Sequence, residues 1–327
     1  MLRSLTVALC LLASPVVSLC GGASFAGRLT TKEVAEIAAK RANTPYAQGI
    51  IWTATRDDTT LTILGTMHLR DQRLGALMDT VRADLLASDI VLLEATPAEE
   101  AQVMAYMTSN PDFLFSTNGP TLPDQLPEEI WQSLSEAARA RGIPPILASK
   151  MQPWYLMMAI GIPVCAMADL AENKRGLDQL VIQDAQANDV PMQALEPFDT
   201  IFTIMRGDTR AEQIKMLEIA AFDAELQQQM FVAMLDSYFE GDVAGLLAMS
   251  QIAARRGARV SNDEIAKLTA EAEQALLYDR NLLWLPVIEA VAQDHDTIMI
   301  AVGAGHLPGQ QGLLNLLVDN GWQITPR

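Results

Sequence analysis

Short apolar runs set between long stretches of helical period constrain this chain more than any other feature. Thr60 to Gly65, Ile90 to Leu93, Pro163 to Met167, Pro191 to Leu195 and Thr297 to Val302 are too short for helices, lack strict alternation and close on turn residues. Strands buried on both faces read this way. After the first run, Leu74, Leu77, Met78, Val81, Leu85 and Leu86 recur at steps of three and four, which puts one apolar stripe on a helix before the run at Ile90. Strand, helix, strand predicts parallel pairing, because the crossover brings the chain back to the same edge of the sheet.

From Thr209 to Ala290 only helical patterns occur, with Leu217, Ile219, Met230, Met234, Leu246, Leu247, Leu276, Leu277, Leu282 and Leu283 on the apolar faces. A second β-α-β signal closes the chain: the run at Thr297, a glycine turn, a helix through Leu313 to Leu317, Gly321 as its C-cap and a strand at Trp322 to Thr325. Met151 to Met167 is apolar but broken by Pro153 and Pro163, so it reads as a core helix followed by a strand. The predicted class is α/β, a mainly parallel central sheet flanked by helices, with a helical insertion covering the sheet. Residues 27–327 contain no linker or repeat and read as one domain.

The first residues read differently. Met1-Leu2-Arg3, an apolar stretch from Leu5 to Leu19 and small residues up to Ala26 have the three parts of a secretory signal. Ser24 and Ala26 predict a cut after Ala26, with a cut nearer Gly22 as the next choice. A lipoprotein at Cys20 is the weaker alternative, since Leu19 stands where that processing favours a small residue. An exported chain, periplasmic or secreted and without a transmembrane anchor, is expected. Of three cysteines, Cys10 and Cys20 would then leave with the leader, and Cys165 would be a lone packed thiol with no disulfide. The formal charge of −17 repels phosphate backbones, so nucleic acid is not an expected partner.

Two of the three histidines share one context. Gly65-Thr66-Met67-His68 and Gly303-Ala304-Gly305-His306 each follow an apolar run, so each reads as strand, glycine, two residues, His. Ligands bind at the carboxyl ends of parallel strands, and glycine there permits a sharp turn or a close approach. Other strands end on carboxylates, Glu94 after Leu93 and Glu196 after Leu195, and a carboxylate following an apolar strand needs a partner. Two imidazoles and a carboxylate make a three-ligand set for a divalent metal with an open position. His295, between Asp294 and Asp296, reads as surface. Arg280, on a predicted helix, is either a surface cation or a fixed guanidinium that orients a carboxylate or steadies an oxyanion.

Taken with Leu93-Glu94-Ala95-Thr96-Pro97, Gln152-Pro153-Trp154, Gly176-Leu177-Asp178, Leu195-Glu196, Arg280-Asn281 and Val302 to Gly309, these motifs resemble the TraB/PrgY/GumN family over roughly Tyr46 to Arg327. The resemblance implies a fold related to erythromycin esterase and ChaN-like proteins. Tiki-like members of the family are described as divalent-metal-dependent proteases. By motif, His68, His306 and Glu94 would hold a metal, manganese or cobalt favoured and zinc possible. Glu94, Glu196 and Arg280 would be catalytic or supporting residues, and Gly65, Gly303, Gly305 and Asn281 would shape the cofactor site.

Two function classes follow. One is hydrolysis of a peptide or small-molecule amide or ester by metal-activated water, with Glu94 or Glu196 taking the proton and Arg280 stabilising developing charge. The other is a non-catalytic protein that binds a metal, haem or another ligand through the same histidines.

Overall fold

A computed structural model describes residues 20–207, 209–219, 224–257 and 260–327. Six strands form one sheet: β1 (Ile51–Arg56), β2 (Thr59–Thr66), β3 (Ile90–Leu93), β4 (Met192–Ala194), β5 (Thr297–Gly303) and β6 (Gln323–Pro326). Their spatial order is β4-β3-β5-β2-β1-β6. β4, β3, β5 and β2 pair in parallel, whereas β1 runs antiparallel to both β2 and β6. The α/β class and the mainly parallel sheet are as the sequence predicts.

β2, β3 and β5 are mainly apolar runs because they feed two cores, while β4 lies at the edge with Gln193 exposed. Leu64, Val91, Leu93, Met299 and Ala301 face the helices Leu74–Ala87 and Leu177–Ala187. Leu61, Ile63, Leu92, Ile298, Ile300 and Val302 face Trp284, Ile288 and Val291 of the helix Asp279–Val291, and Leu313, Leu314 and Leu317. Leu92 and Ile300 are fully buried, and each such side chain stabilises the fold by about 1.5–3 kcal/mol. β1 escapes a reading based on apolar runs: only Trp52 and Ala54 are buried in it, with exposed or half-buried residues between. It turns into β2 at Asp57, whose φ is 51°.

Three expectations are corrected. Pro163 to Met167 forms no strand; Val164–Ala166 is a 3-10 turn that leads into the helix Met167–Ala171. Pro163 caps the turn with φ −64°, a conformation its ring fixes in advance, and a short apolar run carries no period that separates strand from helix. In the helix Asp279–Val291 Leu282 and Leu283 are 49% and 59% exposed, while Arg280, Asn281, Trp284, Ile288 and Val291 form the buried stripe. Third, Cys165 is not alone: it is bonded to Cys20, 145 residues away, and spacing alone cannot disclose such a pairing. Cys20 and Phe25 are both buried, and Phe25 packs with Ala233, Ala248, Met249 and Ile252. Residues 20–28, read from sequence partly as leader, are therefore built into the fold, whereas residues 1–19 of that leader lie outside the described residues. Among the described residues no single helix is long and apolar enough to cross a membrane.

Candidate functional site

Strand order explains how residues far apart in sequence meet. β3, β5 and β2 are neighbours and parallel, with Leu93 beside Ala301, and Gly65 and Thr66 beside Val302 and Gly303. Their carboxyl ends therefore open on the same edge of the sheet, so Glu94, the Gly303 turn and His68 emerge in a row. β4, on the far side of β3, adds Glu196. A Cβ placed on Gly303 would stand 3.2 Å from Glu94 Oε1, 3.6 Å from His306 Cδ2 and 4.0 Å from His68 Nε2. Gly303 has φ −50°, open to any residue, so its missing side chain matters as space: it leaves the hollow on which the three groups converge.

The other glycines differ from it. A Cβ on Gly65 would meet Leu307 Cδ1 at 2.9 Å and Ala304 Cα at 3.1 Å, so glycine lets β2 lie against the Ala304–His306 turn. Tyr238 secures the same place from the helical layer, its hydroxyl donating to the Gly65 carbonyl at 2.8 Å. Gly305, expected among the cofactor residues, would bring its Cβ only to 3.5 Å from Leu277, an ordinary contact.

His306 is buried and its tautomer follows from Asn281. The Asn281 amide nitrogen donates to the carbonyls of His306 and Gln311, at 3.1 and 3.0 Å. Its Oδ1 therefore faces His306 Nδ1 at 2.8 Å as acceptor, which places the ring proton on Nδ1 and the lone pair on Nε2. Asn281 is fully buried and acts through His306. Burial lowers the His306 pKa to about 4, helped by Arg280 and His68 against the pull of Glu94, so the ring is neutral at neutral pH.

Arg280 is the hub. Its Nη2 donates to Glu94 Oε2 and Glu196 Oε1, both at 2.6 Å, its Nε donates to Glu196 Oε2 at 2.9 Å, and its Nη1 reaches the Leu276 carbonyl at 3.1 Å and His306 Nε2 at 3.2 Å. The reading of Arg280 as a surface cation is thus corrected: its side chain is 6% exposed. A π-helical turn, Gln274–Tyr278, precedes it in the same long helix, and such turns rotate the residues that follow. Glu196 also accepts from Trp284 Nε1 at 2.8 Å. With these bonds it is a fixed anchor for Arg280 rather than a group aimed at the hollow.

Glu94 accepts from the Gly303 backbone N–H at 2.7 Å through Oε1. Burial pushes its carboxyl up, but His306, His68, Arg280 and the Gly303 N–H outweigh burial and hold it at about 2. Since His306 is neutral above about pH 4, Arg280 and His68 supply the balancing charge at neutral pH. His68 lies at the mouth. The first N–H groups of the helix Leu177–Ala187 and its cap take the Met67 and His68 carbonyls, from Leu177 and Gly176 at 2.9 Å each. Gly176 permits this docking, since a Cβ there would collide with the Met67 carbonyl at 1.8 Å. Asp178, one residue further, sets Oδ1 3.4 Å from His68 Nδ1, an oxygen with no hydrogen bond of its own among the described residues. The Asp178 carboxylate, against a smaller effect of burial, raises the His68 pKa to about 9. The ring is 66% exposed, so solvent screens part of that attraction.

Sequence reasoning names Gly176-Leu177-Asp178 but gives Asp178 no role, and it passes over Trp284 and Tyr238. The signal for Asp178 is its acidic side chain in the first turn of a helix that opens on glycine. Trp284 has one too, four residues after Arg280 and hence on the same helix face. His295 stays outside the site. Among the described residues no group of three or more His, Cys, Asp or Glu side chains is drawn together closely enough to hold a metal ion as it stands. A model of the TraB/PrgY/gumN family matches residues 50–326, a span that holds every residue of this site. No curated protein and no solved structure matches the chain.

Proposed function

The chain belongs to the TraB/PrgY/gumN family, and from that premise we propose that it is a metal-assisted hydrolase of amide or ester bonds, working at the hollow beside Gly303. One observation carries the reading. Two imidazoles, His306 bonded at Nδ1 to Asn281 Oδ1 at 2.8 Å and His68 facing Asp178 Oδ1 at 3.4 Å, and one ionised carboxylate border the space that a Cβ on Gly303 would enter. Outer oxygens on Nδ1 are how metal-ligating histidines are oriented, and two imidazoles with a carboxylate suit manganese, cobalt or zinc. His68, His306 and Glu94 would hold the ion, with His68 giving up its Nε2 proton on binding. When bound, it supplies Lewis acidity, polarising a carbonyl and making water a stronger nucleophile near neutral pH.

The chain's own groups do the rest. Asn281 keeps the His306 Nε2 lone pair directed inward, and Asp178 sets the His68 ring. Arg280 holds Glu94 ionised and in place. Met67, Leu69, Leu276, Leu277 and Ala304 line the 390 Å³ cleft around the polar groups and limit water around a bound substrate.

A second reading is favoured by one contact, Arg280 Nη1 lying 3.2 Å from His306 Nε2. That guanidinium already engages two of the three donor residues, so hydrolysis without a metal is a coherent alternative. In it water attacks the carbonyl and passes its proton to Glu94, while His68, protonated and backed by Asp178, gives the leaving group its proton from Nε2. Elemental analysis of the purified protein beside a His68→Ala/His306→Ala variant, together with turnover of a peptide and ester library after chelation, separates the readings. Stoichiometric metal lost in the variant, and activity restored by manganese, cobalt or zinc, supports the first. Activity that survives chelation refutes it.

The same reading extends to export, as disulfides persist in oxidising compartments. A cut after Ala26 would remove Cys20 and Phe25, and the disulfide favours a leader that ends before Cys20. Lipidation of Cys20 is set aside, because lipid and disulfide need the same sulfur. N-terminal sequencing of secreted material that begins after Cys20 would overturn this.

A further inference from the structure

The cleft around Gly303 has a larger cavity beside it in the helical layer. Met234 and Leu246 line the cleft on one side and a 490 Å³ cavity on the other. Met157, Ile160, Pro163, Met230, Phe231 and Ala254 are among the walls of that cavity. Its polar side chains, Gln227 and Ser250, are already committed. Gln227 donates to the Ile160 carbonyl at 2.6 Å and accepts from Arg141, and the Ser250 hydroxyl donates to the Leu246 carbonyl at 3.0 Å.

We propose that this cavity is the acyl-chain subsite of the hydrolase, and that its substrates are amides or esters of medium-chain fatty acids whose alkyl arm passes between Met234 and Leu246. This inference rests on the hydrolase reading. A peptide threaded into the cavity would bring a backbone N–H and C=O at every residue with no free partner on the wall, and each unpaired group is costly to desolvate. A volume of 490 Å³ is in the range that takes a whole small ligand. An alkyl chain has the length to use it and no polar group to satisfy. Three methionines, Met157, Met230 and Met234, suit a flexible occupant, since their unbranched thioethers repack around chains of different length.

The test is a series of p-nitrophenyl esters from acetate to dodecanoate, read beside calorimetric binding of the matching free fatty acids below their micelle concentrations. Each added methylene is expected to raise kcat/KM and tighten binding about fourfold until the cavity is filled, after which both series level off. Gly161→Phe and Ala254→Phe insert a ring at the wall; at Gly161 nothing stands within 4 Å of a new Cβ. Each should move the levelling point to shorter chains in both readouts. Fatty-acid binding that climbs with length, with no ester turned over, would leave the subsite standing and overturn the hydrolase. Turnover or binding indifferent to chain length in the unaltered protein would overturn the subsite, as would an apolar peptide that binds more tightly than a fatty acid of equal apolar size.

Discussion

Replacing Arg280 by methionine removes a cation from between two carboxylates, Glu196 buried and Glu94 largely so. Glu196, 6% exposed, would keep only the Trp284 N–H, and Glu94, 18% exposed, only the Gly303 N–H. Methionine preserves much of the apolar stem, so the loss reports the stranded charges rather than a cavity. Breaking a buried ion pair from one side costs about 3–5 kcal/mol, and a chain of this size, with about 2.1 cal/mol/K of unfolding entropy per residue, loses roughly 1.5 °C of Tm per kcal/mol. The expected fall is on the order of 4–8 °C, with a matching drop in the urea midpoint and little change in slope. Adding Glu196→Gln removes one stranded anion, so the double variant should be more stable than Arg280→Met alone, by about 1–2 kcal/mol. Arg280→Lys keeps the charge but cannot fork to two carboxylates, and should fall between. A loss below about 1 kcal/mol for Arg280→Met, or a double variant less stable than the single, would refute the account of Arg280 as the neutralising centre.

Gly303→Ala should fold normally, because φ −50° suits alanine, yet lose metal uptake and turnover as its Cβ enters the hollow at 3.2 Å from Glu94 Oε1; an active variant would mean that the reaction occurs elsewhere. Asp178→Asn should weaken metal affinity by about 10- to 100-fold, measured by competition with a fluorescent chelator, and an unchanged affinity would remove Asp178 from the site. Replacing Cys20 and Cys165 by serine opens a link across 145 residues, for which loop closure sets about 5 kcal/mol; an unfolding midpoint indifferent to reductant would show the bond absent in solution. In chelated protein, His306 is held down to about 4 by burial, below its ordinary value near 6.5. The unfolded chain thus binds this proton more tightly, so the contribution of His306 is complete above about pH 6.5 and is lost as pH falls through 4. A His306→Gln variant should show a flatter stability profile over that interval, and parallel profiles would contradict the buried neutral ring.

The parts of the fold that depend on continuous burial were readable in the sequence, because a strand covered on both faces has no polar side to interrupt it. β2, β3 and β5 belong to that group, whereas β4 is an edge strand with Gln193 exposed, found by the apolar residues that flank it. β1 does not, as only Trp52 and Ala54 point inward. Pro163 to Met167 shows the converse failure: five residues hold too little period to separate a strand from a helical turn. The Cys20–Cys165 bond links segments that share no pattern at all.

The site was readable for a different reason. At Arg280 and Asn281 the rule that polar residues face water assigns the helix backwards, turning Leu282 and Leu283 inward and the site outward. The error carries information, because a helix buries a guanidinium and an amide only where partners wait: two strand-end carboxylates for Arg280, an imidazole and two carbonyls for Asn281. Sheet order supplies those partners. With β3 and β2 on either side of β5, each strand end contributes one group, and 209 residues of sequence between Glu94 and Gly303 shrink to one 2.7 Å hydrogen bond. A parallel sheet pools the carboxyl ends of its strands whatever the chain does between them.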